Sequence, residues 1–300
     1  MFLVEKCNLC PRNCNVDRKS KNGFCGVRNL KIQKVMVHFW EEPYISGTNG
    51  SGAIFFSGCN LKCLYCQNYV ISSLNEGKEI TVQNLVDIFK YLEKLKVHNI
   101  NLVTPTHFTD EILMALKIYK PKIPIVWNTS GYEKVETLKK LTNFVDIFLF
   151  DFKYCSSTLS EEYSKAKDYF NKASESLEFL HSTLGENKFE NGLLTHGLVI
   201  RHLVLPKTTL DSIDILNYIN KSVGNKVLLS ILNQYTPYHK ALNHEVLKNK
   251  VSKLEYKRVV KHAINLNFEN ALVQEESSSN ECFIPNFNEE LNLENLINLH

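Results

Sequence analysis

The chain has 300 residues, 35 basic against 32 acidic side chains and a hydrophobic share of 44%, enough for one large α/β domain or two ordinary ones. Its net charge of +3 is spread without a block of like charge, which excludes a nucleic-acid or membrane-surface binder built on a basic patch. The apolar run at 144–152 is broken by Asp146 and Asp151, well short of the ~20 residues of a membrane span, and no signal-peptide core precedes Cys7, so a cytoplasmic location is expected.

In chain order, thiols come first. Seven of the 9 cysteines fall within the first 66 residues, in two tight groups. In a long chain with an odd count, such grouping favours metal sites over disulfides. Cys7, Cys10, Cys14 and Cys25 are spaced C-x2-C-x3-C-x10-C, and Pro11, Gly23 and Gly26 favour tight turns that let the four approach one centre. Four thiolates suit a closed site, either zinc or an auxiliary iron–sulfur cluster, and the ligand count does not choose between them. Residues 1–45 have too little apolar periodicity for a core of their own, so they are expected to form a small metal-binding module ordered by its metal or by the following domain.

A core domain is expected over 46–276. Strand patterns at 52–57, 99–103, 124–127, 146–150, 198–205 and 226–232 alternate with helical spacings at 81–97, 108–119, 134–141, 159–184, 210–221 and 253–266. That alternation predicts βαβ units and a parallel sheet, either a partial barrel or an open doubly wound sheet. Residues 182–197 read as a long loop, and 277–300 as a C-terminal tail.

Directly after the first of these strands comes Gly58-Cys59-Asn60-Leu61-Lys62-Cys63-Leu64-Tyr65-Cys66. Three thiols spaced C-x3-C-x2-C on one loop point to a [4Fe–4S] cubane with one iron left open for a small molecule. The alternative, a structural zinc site, needs a fourth ligand such as His107.

This loop resembles the signature of the radical S-adenosylmethionine (SAM) superfamily, which implies a partial (β/α)6 barrel. Further segments resemble the pyruvate formate-lyase activating-enzyme-like proteins called the PflX group: His38-Phe-Trp-Glu-Glu-Pro, Asn101-Leu-Val-Thr-Pro-Thr-His, Asn128-Thr-Ser-Gly-Tyr, Asp151-Phe-Lys-Tyr, Arg201-His-Leu-Val-Leu-Pro and Gln234-Tyr-Thr-Pro. The resemblance runs from about Cys7 to Phe287. It implies an oxidoreductase in which Cys59, Cys63 and Cys66 hold the cluster. The open iron chelates SAM, and reductive cleavage gives methionine and a 5′-deoxyadenosyl radical.

The same resemblance suggests SAM-binding roles for Tyr65, Asn128, Asp151, Lys153, Arg201 and His239. Asp151 and Lys153 lie two apart on a strand end and so share a face, while the planar fork of Arg201 suits a carboxylate. The Gly-Gly-Glu that many relatives place after the second strand is replaced by Val103-Thr104-Pro105-Thr106-His107, leaving the contact to the amino group of SAM unassigned. Lys207 stands where the group usually has glycine. Cys155 reads as an ordinary thiol.

The expected function is reductive SAM cleavage, in the narrower form as an activase of a glycyl radical enzyme. A reductant such as flavodoxin or ferredoxin would then be a partner, and no nucleic acid or membrane. The rivals are radical modification of another protein or small molecule and, from a different class, a non-catalytic zinc protein presenting a binding surface.

Overall fold

The computed structural model describes residues 6–274, 285–287 and 291–292. The chain enters the sheet with β1 (Lys31–His38), followed by α1 (Pro43–Ser46), β2 (Ser51–Phe56), α2 (Tyr69–Ser72), β3 (Lys78–Glu79) and α3 (Val82–Lys94). Strand–helix repeats follow: β4 (Ile100–Val103) with α4 (Thr109–Ile118), β5 (Ile125–Thr129) with α5 (Val135–Leu141), and β6 (Ile147–Asp151) with α6 (Ser157–Ser164) and α7 (Tyr169–Leu184). After β7 (Lys188–Glu190) come β8 (Leu193–Leu203), α8 (Thr209–Val223), β9 (Leu228–Leu232), α9 (Lys253–Asn265) and β10 (Asn270–Val273).

The sheet order is β10-β9-β8-β6-β5-β4-β2-β1-β3. From β2 to β10 the neighbours are parallel; β1 runs antiparallel to β2 and β3 antiparallel to β1. Six strand–helix repeats therefore build the partial barrel, and β3 and β10 are its unclosed edges. Among the described residues no helix is long and apolar enough to cross a membrane.

Strands such as β2, β5 and β9 are buried along their whole length, as expected where helices cover one face and a barrel interior lies on the other. Outward side chains, among them Ile54, Leu102, Trp127, Phe148, Ile200 and Leu229, pack with the helices in one core. The helices present matching stripes: α3 starts at a Thr81–Asn84 capping box and buries Leu85, Ile88, Phe89 and Leu92, each worth roughly 1.5–3 kcal/mol. Inward side chains form a second, smaller cluster in which Ile45 of α1 meets Val126, Ile147, Leu149, Val199 and Leu228. The α1 turn thus fills the apolar part of the interior. Two residues further along the same strands, Asn128, Asp151, Arg201 and Ser230 face the same way, because side chains alternate with period two. The C-terminal mouth is therefore polar above an apolar floor.

Two sequence expectations differ. Lys31–His38, assigned to the N-terminal module over 1–45, pairs along β2 on one side and β3 on the other; Lys31 and Lys34 interrupt its apolar alternation. The segment 182–197, expected as a loop, contains the end of α7 and the β7–β8 hairpin. The boundary at 277 lies outside the described residues. Beyond it, Phe287 packs edge-on against Phe55 at 5.4 Å, and Gln33 donates to its carbonyl at 2.7 Å.

Candidate active site

The cysteine loop leaves β2 through Gly58, at φ +87; a Cβ there would lie 2.8 Å from the carbonyl oxygen of Cys25. Only glycine accommodates both the left-handed backbone and that approach. All three loop thiols are free, and each sulfur accepts a hydrogen bond: Cys59 from the Leu61 N–H at 3.4 Å, Cys63 from Ser164 Oγ at 2.9 Å, Cys66 from Ser72 Oγ at 3.2 Å. Burial and then the neighbouring Cys63 push the Cys66 thiol up to about 12, and the same causes raise Cys59. Without a cation Cys59 and Cys66 remain protonated; a bound metal centre reverses that preference. Three thiols on one loop, each with a polar donor, fit a cubane that takes each thiolate at a separate iron.

Among the described residues no group of three or more His, Cys, Asp or Glu is arranged to hold a single metal ion. His107, the residue a closed zinc site would recruit, is buried with Nε2 on the Ser57 carbonyl at 2.7 Å.

At the barrel mouth one charged network joins the expected SAM contacts. Arg201 donates through Nε to Asp151 at 2.8 Å, through Nη1 to Glu41 at 2.9 Å and through Nη2 to Asn128 Oδ1 at 2.6 Å. Lys153 Nζ reaches the other Asp151 oxygen at 2.8 Å. Burial alone would raise the Asp151 carboxyl, but Arg201 and Lys153 outweigh it and hold it below its usual range. Lys153 also lies close enough to Cys59 to favour its thiolate, so the network and the cysteine loop share one mouth. Glu41 and Glu42 were not singled out in the sequence. Their signal was paired acids ahead of Pro43 at the entry to an apolar turn.

The Tyr65 ring is buried, and its hydroxyl shares a 2.7 Å hydrogen bond with Tyr154, which in turn reaches Ser164 Oγ at 2.7 Å. Tyr65 thereby buttresses the loop from below. His239 stacks on Tyr69 at 3.8 Å, just beyond Cys66. Cys155 lies outside this group; its backbone N–H donates to Asp211.

Where Gly-Gly-Glu is absent, Thr104 adopts φ +59 and Thr106 donates to Glu133 at 2.6 Å. Glu133, 1% exposed, also accepts from Trp127 and Thr129. Burial pushes its carboxyl from 4.5 to about 7. A raised carboxyl favours folding in its protonated form, so this contribution is fully present below about pH 4.5 and lost as pH rises through about 7. Glu133→Gln keeps the acceptor without the charge. Denaturation at several pH values should show wild type losing about 3 kcal/mol relative to the variant across that window; parallel profiles would contradict it.

The N-terminal thiol segment packs beside the cysteine loop, with the Cys25 carbonyl against Gly58 and Arg12 on the Asn60 carbonyl. Left-handed Asn13 and Asn15 fold the turn, Asn13 N–H donates to the Cys10 carbonyl at 3.1 Å, and Phe24 N–H donates to Cys14 Sγ at 3.2 Å. A Cβ on Gly23 would lie 3.4 Å from Cys14 Sγ and 3.7 Å from Cys25 Sγ. Burial pushes the Cys10 thiol up to about 12, with Cys7 and Cys14 adding to it.

Residues 53–219, more than half of the chain, match the radical SAM superfamily. The chain belongs to that superfamily. Membership makes it a SAM-dependent radical enzyme and implies a [4Fe–4S] cluster and SAM as cofactors. It is 29% identical over 277 residues to the uncharacterized protein MJ0674 of Methanocaldococcus jannaschii, covering 89% of this chain and 77% of that one. Among solved structures it resembles the FeFe-hydrogenase maturase HydG of Carboxydothermus hydrogenoformans, with a TM-score of 0.50 and 16% identity over 72% of this chain and 50% of that one. SuiB of Streptococcus suis, solved bound to S-adenosylmethionine, gives 0.49 and 13% over 72% and 48%. This radical SAM chain thus spans about half the length of those two structures.

Proposed function

We propose that Cys59, Cys63 and Cys66 hold the [4Fe–4S] cluster, and that the protein cleaves SAM reductively to act on a polypeptide partner in the manner of an activating enzyme. The observation that carries this is the convergence of the three thiols and the Asp151–Lys153–Arg201–Asn128 network on one mouth. When bound, the cluster supplies the electron that breaks the sulfonium–C5′ bond of SAM.

The residues bind and exclude rather than transfer protons. Lys153 and Arg201 would face the SAM carboxylate, with Asp151 and Asn128 fixing their orientation, and His239 would border the ribose. Glu41, accepting from Arg201 inside the barrel, holds the guanidinium from beneath. The buried Tyr65–Tyr154 pair closes the side of the loop to water. Activase action and the use of a flavodoxin or ferredoxin rest on the PflX resemblance. Cys7, Cys10, Cys14 and Cys25 would hold a second metal, zinc or an auxiliary cluster.

Anaerobic reconstitution tests the reading. The wild-type protein should be brown, and after reduction with dithionite should convert SAM to 5′-deoxyadenosine. Colourless protein that binds zinc alone and leaves SAM intact would overturn it.

A further inference from the structure

We propose that Arg12, carried between Cys10 and Cys14, is a positioning residue that clamps the catalytic cysteine loop to the end of α6. The proposal rests on reading Cys59, Cys63 and Cys66 as the cluster ligands. The Arg12 side chain reaches two elements at once. Its Nε donates to the carbonyl of Asn60, inside the cysteine loop, at 2.7 Å. Its Nη2 donates to the Ser164 carbonyl at 3.1 Å and its Nη1 to the carbonyl of Lys165.

Both targets bear on the thiols. Asn60 adjoins Cys59, and the Ser164 hydroxyl donates to Cys63 Sγ at 2.9 Å. The loop is tied to α6 a second time where the Leu64 N–H meets the Tyr163 carbonyl at 2.8 Å. Lys165 caps α6 in a left-handed conformation, so the last carbonyls of the helix point outward, where a cation is favoured.

A planar guanidinium suits this task because its N–H groups diverge in a fixed fork. Aromatic faces hold the fork: the Arg12 carbon lies 3.8 Å from the Phe24 ring centre and 5.1 Å from that of Tyr132. The Asn60 side chain completes the joint by donating to the Tyr132 carbonyl at 2.8 Å. Arg12 is presented from the thiol turn, since its own backbone N–H bonds to Cys10. Arg12 thereby passes the ordering of the N-terminal thiols to the catalytic loop.

Hydrogen exchange on the full chain as purified, with its bound metals retained, tests the clamp through a readout other than SAM cleavage. In Arg12→Ala the amides of Leu61 and Leu64 should exchange about ten-fold faster than in wild type, and added methylguanidinium should slow them again. Arg12→Lys, which keeps the stem and charge but not the fork, should recover only part of the protection; it also serves if the alanine variant fails to fold. After reconstitution, Arg12→Ala should lose iron from the catalytic loop faster than wild type on desalting, with an altered electron paramagnetic resonance line. Unchanged exchange in Arg12→Ala, or full protection in Arg12→Lys, overturns the clamp. Wild-type protein that takes up no iron at the loop overturns the cluster reading instead, while the exchange comparison still decides the clamp.

Discussion

Replacing any one of Cys59, Cys63 or Cys66 with Ala is expected to reduce SAM cleavage at least about a thousand-fold, equivalent to ~4 kcal/mol of barrier. A cubane with three protein thiolates has no spare ligand, so each loss exposes an iron that the loop cannot cover. The fold should survive. Cys59 is buried among apolar neighbours, and trimming one sulfur there costs only about 1 kcal/mol. Cys155→Ala is the matched control: its thiol, pushed up to about 12 by burial and Asp211, has no sulfur partner in the loop and should change neither iron content nor cleavage. 5′-Deoxyadenosine chromatography with iron analysis decides the matter. Cleavage at the wild-type rate in the single variants would refute the ligand assignment.

The barrel was legible because its strands are buried on both faces and its helices carry stripes of period 3.6, and both signals are local. Cys59, Cys63 and Cys66 were legible because three ligands share one loop. Two strands were not: the edge strand β10 has exposed Leu272 and Val273, and β1 carries lysines, so neither shows the pattern of a buried strand. Arg201 was found through its motif, but its partners were not, because Glu41 lies 160 residues away and meets it only once α1 folds into the interior. Arg12 was hidden for the same reason. Its role depends on carbonyls of Asn60, Ser164 and Lys165, and a backbone carbonyl leaves no trace in a sequence. Tyr65, given a SAM-binding role by resemblance, keeps its ring in the core, and its place in the motif does not reveal that.

Arg201→Ala should produce the largest loss of stability among the mouth residues, about 3 kcal/mol or more, because it leaves Asp151 and Glu41 without their shared cation in a largely desolvated place. Side-chain exposures of 11% for Arg201, 14% for Glu41 and 23% for Asp151 leave room for some solvent screening, which sets the expectation at the lower end. The sign with pH follows from Asp151. Its depressed carboxyl now contributes stability that is present above its ordinary value of 3.8 and is lost only as pH falls through the lower folded value. Without Arg201 only Lys153 still faces the Asp151 carboxylate, so the carboxyl is held down less and the variant should lose less stability than wild type as the pH is lowered. Glu41→Gln in the Arg201→Ala background should be less harmful than in wild type, since it removes a charge already stranded; the double-mutant cycle measures that coupling directly. SAM affinity should also fall in Arg201→Ala while iron content holds, which separates the carboxylate contact from cluster assembly. Additive effects of the two substitutions together with unchanged SAM binding would show that Arg201 neither anchors the network nor meets the cofactor.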